Sequence, residues 1–112
     1  MSKFDDALDT YLQSAEKLGL SVERPLLEKV TRGLGPSIYN ADSSKVSSSD
    51  QAELDRVKQN FLIKKLGLAD SPALDELISD VVDKLGSSNP NKYRALFYYL
   101  LVKATGKEDI YN

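Results

Sequence analysis

Apolar residues recur at intervals of three and four in five segments of the chain, the spacing that places them on one face of a helix. The predicted helices cover about residues 3–18, 24–32, 50–66, 71–85 and 90–105. Pro25 and Pro72 suit first helical turns, where no amide hydrogen is needed. The pattern predicts an all-α fold, a compact bundle of about five helices forming a single domain over residues 1–112.

Three of the predicted helices end on the same three residues, lysine, leucine and glycine. The glycines are Gly19, Gly67 and Gly86. Glycine after a helix adopts the left-handed conformation that satisfies the last carbonyls, and lysine there suits the helix dipole. The recurrence indicates either independent good capping, the simpler interpretation, or a duplicated helical hairpin.

The fifth predicted helix is apolar on nearly all sides, which is typical of a buried helix. We therefore expect it to be the central helix, with the other four packed around it. Tyr98 and Tyr99 are neighbours in it and point about 100° apart, so they cannot share the centre of one face. One of the two could line a pocket or an interface.

One irregular loop is predicted over about residues 33–48. Its first half carries Leu34, Ile38 and Tyr39, which we expect to pack against the core. Its second half is polar and serine-rich, which is typical of a mobile surface loop. A loop this long in a small domain often carries function.

The 112-residue chain contains no cysteine and no histidine, which excludes thiolate chemistry, disulfides and the usual general base. Its net charge of −2 gives no long-range attraction to nucleic acid or anionic membranes. No apolar run is long enough for a membrane span. Acids follow Phe4 where a signal peptide would be apolar, so we expect a cytoplasmic protein without membrane association.

Two loop motifs can be tested against known ligand sites. Asn40, Asp42, Ser44 and Ser48 alternate as calcium ligands do, but Lys45 and Gln51 occupy the places of the required glycine and glutamate. The glycines after the second helix do not follow a strand, as a phosphate loop requires. The sequence therefore predicts no metal and no cofactor.

Cations in the fifth segment raise the possibility of nucleic-acid binding, because helices four and five have the spacing of a helix-turn-helix. A recognition helix must expose one face, however, and this one is apolar almost throughout. We expect its cations, Lys92, Arg94 and Lys103, to face the acids of helix four instead. Those acids are Asp75, Glu76, Asp80 and Asp83.

Three runs carry a family resemblance: Gly-Leu-Gly-Pro-Ser-Ile-Tyr over 33–39, Asn-Phe-Leu-Ile-Lys-Lys-Leu-Gly-Leu over 60–68, and Asn-Lys-Tyr-Arg-Ala-Leu-Phe-Tyr-Tyr-Leu-Leu over 91–101. With the opening residues 2–7, they make the chain resemble a family of small bacterial proteins classed as domain of unknown function 2853. The resemblance covers nearly the whole chain and implies a helical bacterial protein. It implies no activity and no catalytic residues.

The leading hypothesis is a non-enzymatic interaction module that binds a protein partner or a second copy of itself. Surplus tyrosine supports it, since tyrosine is enriched in interfaces. The candidate interaction residues are Leu34, Ile38, Tyr39, Tyr93, Arg94, Tyr98 and Tyr99. The alternatives are a small-molecule or enzymatic site of Tyr, Arg, Asp and Lys residues, inspected first at Tyr39, Tyr93, Arg94 and Tyr98, and weak nucleic-acid binding.

Overall fold

The computed structural model describes residues 2–40 and 43–111, so Asp42 of the calcium pattern lies outside the described residues. The all-α prediction is confirmed. The helices are α1 Lys3–Lys17, α2 Arg24–Leu34, α3 Gln51–Arg56, α4 Pro72–Leu85 and α5 Arg94–Thr105. Two short 3₁₀ helices cover Gly35–Tyr39 and Glu108–Tyr111. The radius of gyration, 13.1 Å, is that of a compact chain of this length.

The helix termini follow the local rules expected from the sequence. The Ser2 hydroxyl accepts the amide hydrogen of Asp5 at 3.1 Å, and the Asp50 carboxylate accepts that of Ala52 at 3.0 Å. Gly19, Gly67 and Gly86 all have positive φ. Gly86, with φ of 93° and ψ of 112°, does not adopt the left-handed helical conformation predicted for it. These signals fix where α1, α3 and α4 begin or end.

Helix α5 is the central helix, as its apolar surface predicted. It packs against α1, α2 and α4, and most of its side chains are buried, including Leu96 and Leu101, which have no exposed surface. It begins at Arg94 rather than Pro90. The reason is a turn before it, in which the Asn89 side chain accepts the amide hydrogen of Asn91 at 2.9 Å.

The prediction of an irregular loop over 33–48 is wrong for its first half. Gly33 and Leu34 belong to α2, and the next five residues form a 3₁₀ helix that buries Ile38. Gly35, with φ of 64°, ends the α-helical winding, and Pro36 suits the first turn of the 3₁₀ helix.

The described part of the second half is fastened to the start of α5. The amide of Val46 donates to the carbonyl of Lys92, and the amide of Arg94 donates to the carbonyl of Ser44, both at 2.8 Å. Val46 is 4% exposed and belongs to the core. Residues 44–46 therefore form an anchored segment, whereas the serines after them remain at the surface.

Helix α3 continues beyond Arg56 as a π-helix over Val57–Lys65. Its hydrogen bonds join residues five apart, as in the 2.9 Å bond from the Leu66 amide to the Phe61 carbonyl. Residues five apart on an α-helix point about 140° apart, because each residue advances by about 100°. In this wider winding they share a face, and Asn60 and Lys65 line the same depression.

Candidate functional site

Arg94, at the start of α5, is the centre of a polar network. Its guanidinium donates to the Glu53 carboxylate at 2.6 Å, the Ser43 carbonyl at 2.7 Å and the Tyr98 hydroxyl at 3.1 Å. A longer bond of 3.4 Å reaches the Lys45 carbonyl. The side chains of Arg94 and Glu53 are 15% and 14% exposed. This network joins the anchored segment, α3 and α5.

Electrostatics within the network favour the charged forms of both partners. Burial raises the pKa of Glu53, but hydrogen bonds from Arg56 and Arg94 outweigh it and hold that pKa below its usual value. Burial lowers the pKa of Arg94, yet the bond to Glu53 leaves it raised. Because its nitrogens already donate hydrogen bonds to oxygens of the protein, the guanidinium holds these segments of the chain together.

An aromatic cleft lies beside this network, between α2, the π-helical part of α3, α5 and the C-terminal 3₁₀ helix. It encloses about 220 Å³. It is lined by Val30, Gly33, Leu34, Asn60, Phe61, Lys65, Tyr98 and Tyr111. The Tyr98 ring stacks on Phe61 with centroids 4.0 Å apart. The Lys65 ammonium lies 5.5 Å from the Tyr111 ring centroid, a cation–π distance.

The Tyr39 depression lies on the other side of the C-terminal end of α2 and has a volume of about 420 Å³. It is lined by Phe4, Thr31, Arg32, Gly35, Pro36 and Tyr39. The Tyr39 side chain is 49% exposed. The Arg32 guanidinium lies 4.7 Å from the Phe4 ring centroid. This depression is therefore apolar with a cationic edge.

The cleft and the Tyr39 depression both lie at the C-terminal end of α2, where the consecutive residues Leu34 and Gly35 line the first and the second. We call the two together the aromatic surface. In the described part of the chain, the large hydrophobic side chains that are clearly exposed are Tyr39 and Ile110, the neighbour of the cleft residue Tyr111. Among the residues that the structure describes, no acid lines either depression. The aromatic surface thus combines apolar area with positive charge.

Five of the candidate interaction residues occupy contrasting positions. Tyr39 is exposed, and Leu34 and Tyr98 are half-buried at the aromatic surface. Ile38 is 7% exposed, so it belongs to the interior. Tyr99 is 1% exposed, and its hydroxyl accepts the Glu23 amide hydrogen at 2.8 Å. Of the tyrosine pair in α5, Tyr98 is therefore the one that lines a pocket.

Tyr93 lies apart from the aromatic surface. Its ring packs against Tyr11 with centroids 5.0 Å apart, and it lines a different depression, of about 280 Å³, between α1 and the turn before α5. Burial raises the pKa of the adjacent Tyr11 to about 12, with smaller contributions from Tyr93 and Tyr39. Arg94 and Tyr98 meet, but neither Tyr93 nor Tyr39 lines the cleft beside them.

The sequence suggested that the cations of α5 face the acids of α4. The structure places them elsewhere. Lys103 pairs with Glu23 at 3.3 Å and with Glu108 at 3.7 Å. The buried Lys92 donates to the carbonyls of Ser87 and Asn89 at 3.1 and 2.6 Å. The expectation was wrong because these positions are set by the turn before α5 and by chain segments outside α4.

Several residues of the aromatic surface were missed as site residues, and three of them show why. Phe4 fitted the pattern of a core position in the first helix, and Lys65 fitted that of a cation at the end of a helix. Nothing in the sequence marked Asn60 as a site residue, because an α-helix would place its side chain away from that of Lys65. The π-helical winding brings these two together, and apolar periodicity does not distinguish π from α winding.

Neither a metal centre nor a membrane span is visible in the described chain. Over residues 2–40 and 43–111, no three His, Cys, Asp or Glu side chains are grouped to hold a metal ion. None of the helices there combines the length and apolar character that crossing a bilayer requires.

The comparisons with known proteins support the resemblance noted in the sequence. No curated protein matches the chain. A family model described as "Protein of unknown function (DUF2853)" matches residues 10–109. That range contains α2 to α5 and most of the aromatic surface, whereas Phe4 and Tyr111 lie outside it. The chain belongs to this family.

Proposed function

We propose that this chain is a non-enzymatic interaction module that binds a protein partner through the aromatic surface. The observation that carries the proposal is the pair of apolar depressions at the C-terminal end of α2. Tyr39 is exposed there beside other apolar lining residues, and exposed apolar patches mark interaction sites. Tyrosine provides a rigid apolar area and a hydroxyl, which suits a binding surface.

The sizes of the depressions favour a protein partner over a small molecule. Small-molecule sites usually enclose roughly 300–1,000 Å³ and bury most of their ligand. The cleft, at about 220 Å³, is smaller than this, and the larger Tyr39 depression is shallow. Such depressions suit single side chains of a partner that covers the surface around them.

The polar groups that an enzymatic alternative would use are occupied within the molecule. Arg94, Glu53 and Tyr98 bond to one another or to backbone carbonyls. The Arg94 and Lys103 charges that a nucleic-acid site would offer are paired with carboxylates. These contacts support the interaction module over either alternative.

Charge favours a different protein over a second copy of this chain. A two-fold symmetric dimer places the same patch of each copy against the other. Centred on the aromatic surface, it would bring the Lys65 cations of both copies together, and none of the described residues that line either depression is an acid. Like charges brought together oppose association. We therefore propose a distinct partner, acting in the bacterial cytoplasm that the family resemblance suggests.

Selection from a library of random linear peptides displayed on phage would test this function. We expect the immobilised protein to enrich apolar-rich peptides, and Tyr39→Ala to remove their binding while leaving the melting temperature within about 2 °C. Leu77→Ala is the control, because Leu77 is a partly exposed apolar residue of α4 that lines neither depression.

Two outcomes would count against the proposed function. If no peptide is enriched, or if neither Tyr39→Ala nor Lys65→Glu changes the binding of the selected peptides, the aromatic surface is not the binding site. Sedimentation velocity addresses self-association. A concentration-dependent dimer that Tyr39→Ala dissolves would make the occupant a second copy of this chain.

A further inference from the structure

We propose that the aromatic cleft recognises an apolar side chain with an acidic residue beside it, and that Lys65 and Asn60 bind the carboxylate. This inference rests on the proposed function and specifies the chemistry of the partner segment. Its basis is a cation and an amide placed at one edge of an apolar cleft.

Lys65 is a cation that the described chain leaves without a carboxylate. No Asp or Glu oxygen of the described residues lies within 4.0 Å of its ammonium, which instead lies over the Tyr111 ring. Lys58, earlier in the same helix, shows the contrast. Its ammonium is held by Asp70 at 3.1 Å and by Asp75 at 3.2 Å. Lys65 is therefore the lysine of this helix that can pair with a partner's carboxylate at the cleft.

Asn60 adds a second donor because of the π-helical winding. In an α-helix, Asn60 and Lys65 would point about 140° apart. In the π-helix both line the cleft. The Asn60 side chain forms no hydrogen bond with another described residue, and its amide can donate to a carboxylate oxygen. An ammonium and an amide on one edge provide charge-assisted hydrogen bonds to a single carboxylate.

The interior of the cleft supplies the apolar half of the recognition. Val30 and Phe61 are 1% and 5% exposed and form the floor, whereas Leu34, Tyr98 and Tyr111 are half-buried walls. The volume of about 220 Å³ is below the usual range for whole small molecules, so it fits a side chain. An apolar anchor in the cleft would place a neighbouring Asp or Glu at Lys65.

Charge reversal at Lys65 tests this recognition. The same peptide library is selected on the unaltered protein, on Lys65→Glu and on Lys84→Glu. Lys84 is the matched control, because it is also exposed and also precedes a leucine and a helix-ending glycine, at α4. We expect Asp or Glu next to the apolar anchor in peptides from the unaltered protein and the control, and Lys or Arg in peptides from Lys65→Glu.

Affinity and chemical shifts complete the test. For the best acidic peptide, Lys65→Ala should raise Kd about 10-fold, in keeping with loss of one charge-assisted hydrogen bond, and Lys84→Ala should not. The Asn60 side-chain amide should shift on peptide binding in ¹H–¹⁵N spectra. Apolar peptides without an acidic preference, unaffected by Lys65→Glu, would overturn this inference and leave the proposed function standing. Failure to enrich any peptide would remove both.

Discussion

The Arg94 network and the aromatic cleft are neighbouring regions that use similar groups in different ways. Each places a cation near a tyrosine ring: Arg94 lies 5.7 Å from the Tyr98 centroid, and Lys65 lies 5.5 Å from that of Tyr111. Arg94 also has a buried carboxylate partner in Glu53, whereas no acid of the described chain lines the cleft. A cation beside a tyrosine ring is thus part of the structure when a carboxylate of the same chain pairs with it. When no such carboxylate pairs with it, the cation is available to bind a partner.

Tyr98 joins the two regions. Its hydroxyl accepts a hydrogen bond from Arg94, and its ring stacks on Phe61 at the wall of the cleft. The internally satisfied network therefore sets the orientation of a ring that forms part of the surface. We expect changes in the network to act mainly on stability, and changes at the edge of the cleft to act mainly on binding.

The largest effect should come from Arg94→Ala. It leaves the Glu53 carboxylate largely buried without its closest partner and frees the Ser43 carbonyl. We expect the free energy of unfolding to fall by about 3 kcal/mol in urea denaturation, the lower end for breaking a buried pair. Arg32→Ala is the control, because Arg32 is 65% exposed and its pair with Glu28 should contribute less than about 0.5 kcal/mol. Equal losses would contradict the comparison.

The next effect should come from Gly35→Ala, at the joint between the two depressions. Gly35 has φ of 64° and ψ of −152°, a conformation that is essentially restricted to glycine. Nothing lies within 4 Å of an added Cβ, so the penalty is conformational rather than steric. We expect a loss of about 2 kcal/mol by urea denaturation, together with weaker peptide binding. Unchanged stability would show that this joint tolerates a different backbone.

A third effect concerns the alkaline limit of stability. Burial raises the pKa of Tyr111 to about 12, above its ordinary value of 10.0. The folded state then keeps a proton that the unfolded state loses, so stability should fall as pH rises from 10 towards 12. Phenylalanine has no hydroxyl to ionise. We therefore expect the effect of Tyr111→Phe on the free energy of unfolding to be more favourable at pH 11 than at pH 8, by roughly 1 kcal/mol. Equal effects at both pH values would mean that Tyr111 is not buried as described.

The smallest effect has the opposite sign. Gly33 lies in α2 without positive φ, and an added Cβ would meet the Tyr111 ring at 3.7 Å, an ordinary contact. Gly33→Ala should raise the free energy of unfolding by about 0.5 kcal/mol, because alanine favours the helix. The methyl group would also narrow the cleft and weaken peptide binding. A variant that is more stable and binds peptides equally well would show that Gly33 is not part of the binding surface.

Local patterns predicted the helical fold because helix signals are local. The apolar periodicity, the first-turn prolines Pro25 and Pro72 and the glycines after three helices all act within one or two turns. The apolar circumference of α5 predicted its central position for the same reason. The 3₁₀ helix over Gly35–Tyr39 was missed because a glycine–proline pair also suits an irregular turn.

The candidate site was only partly predictable because it depends on contacts between distant segments. Tyr39 and Tyr98 were anticipated from residue type, but the choice between Tyr98 and Tyr99 required the positions of Glu23 and Phe61. The partner of Arg94 lies 41 residues away in the sequence, at Glu53. Side-chain pattern alone does not specify such pairings, and we expected acids of α4 instead.

The π-helix over Val57–Lys65 has a consequence for comparing members of the family. Removing one residue between Asn60 and Lys65 would leave them four apart, the spacing at which an α-helix presents two side chains on one face. The length of this segment and the spacing of the amide and the lysine should therefore vary together. In an alignment of relatives, a one-residue gap here would mark a change of helical winding that can preserve the cleft's polar edge.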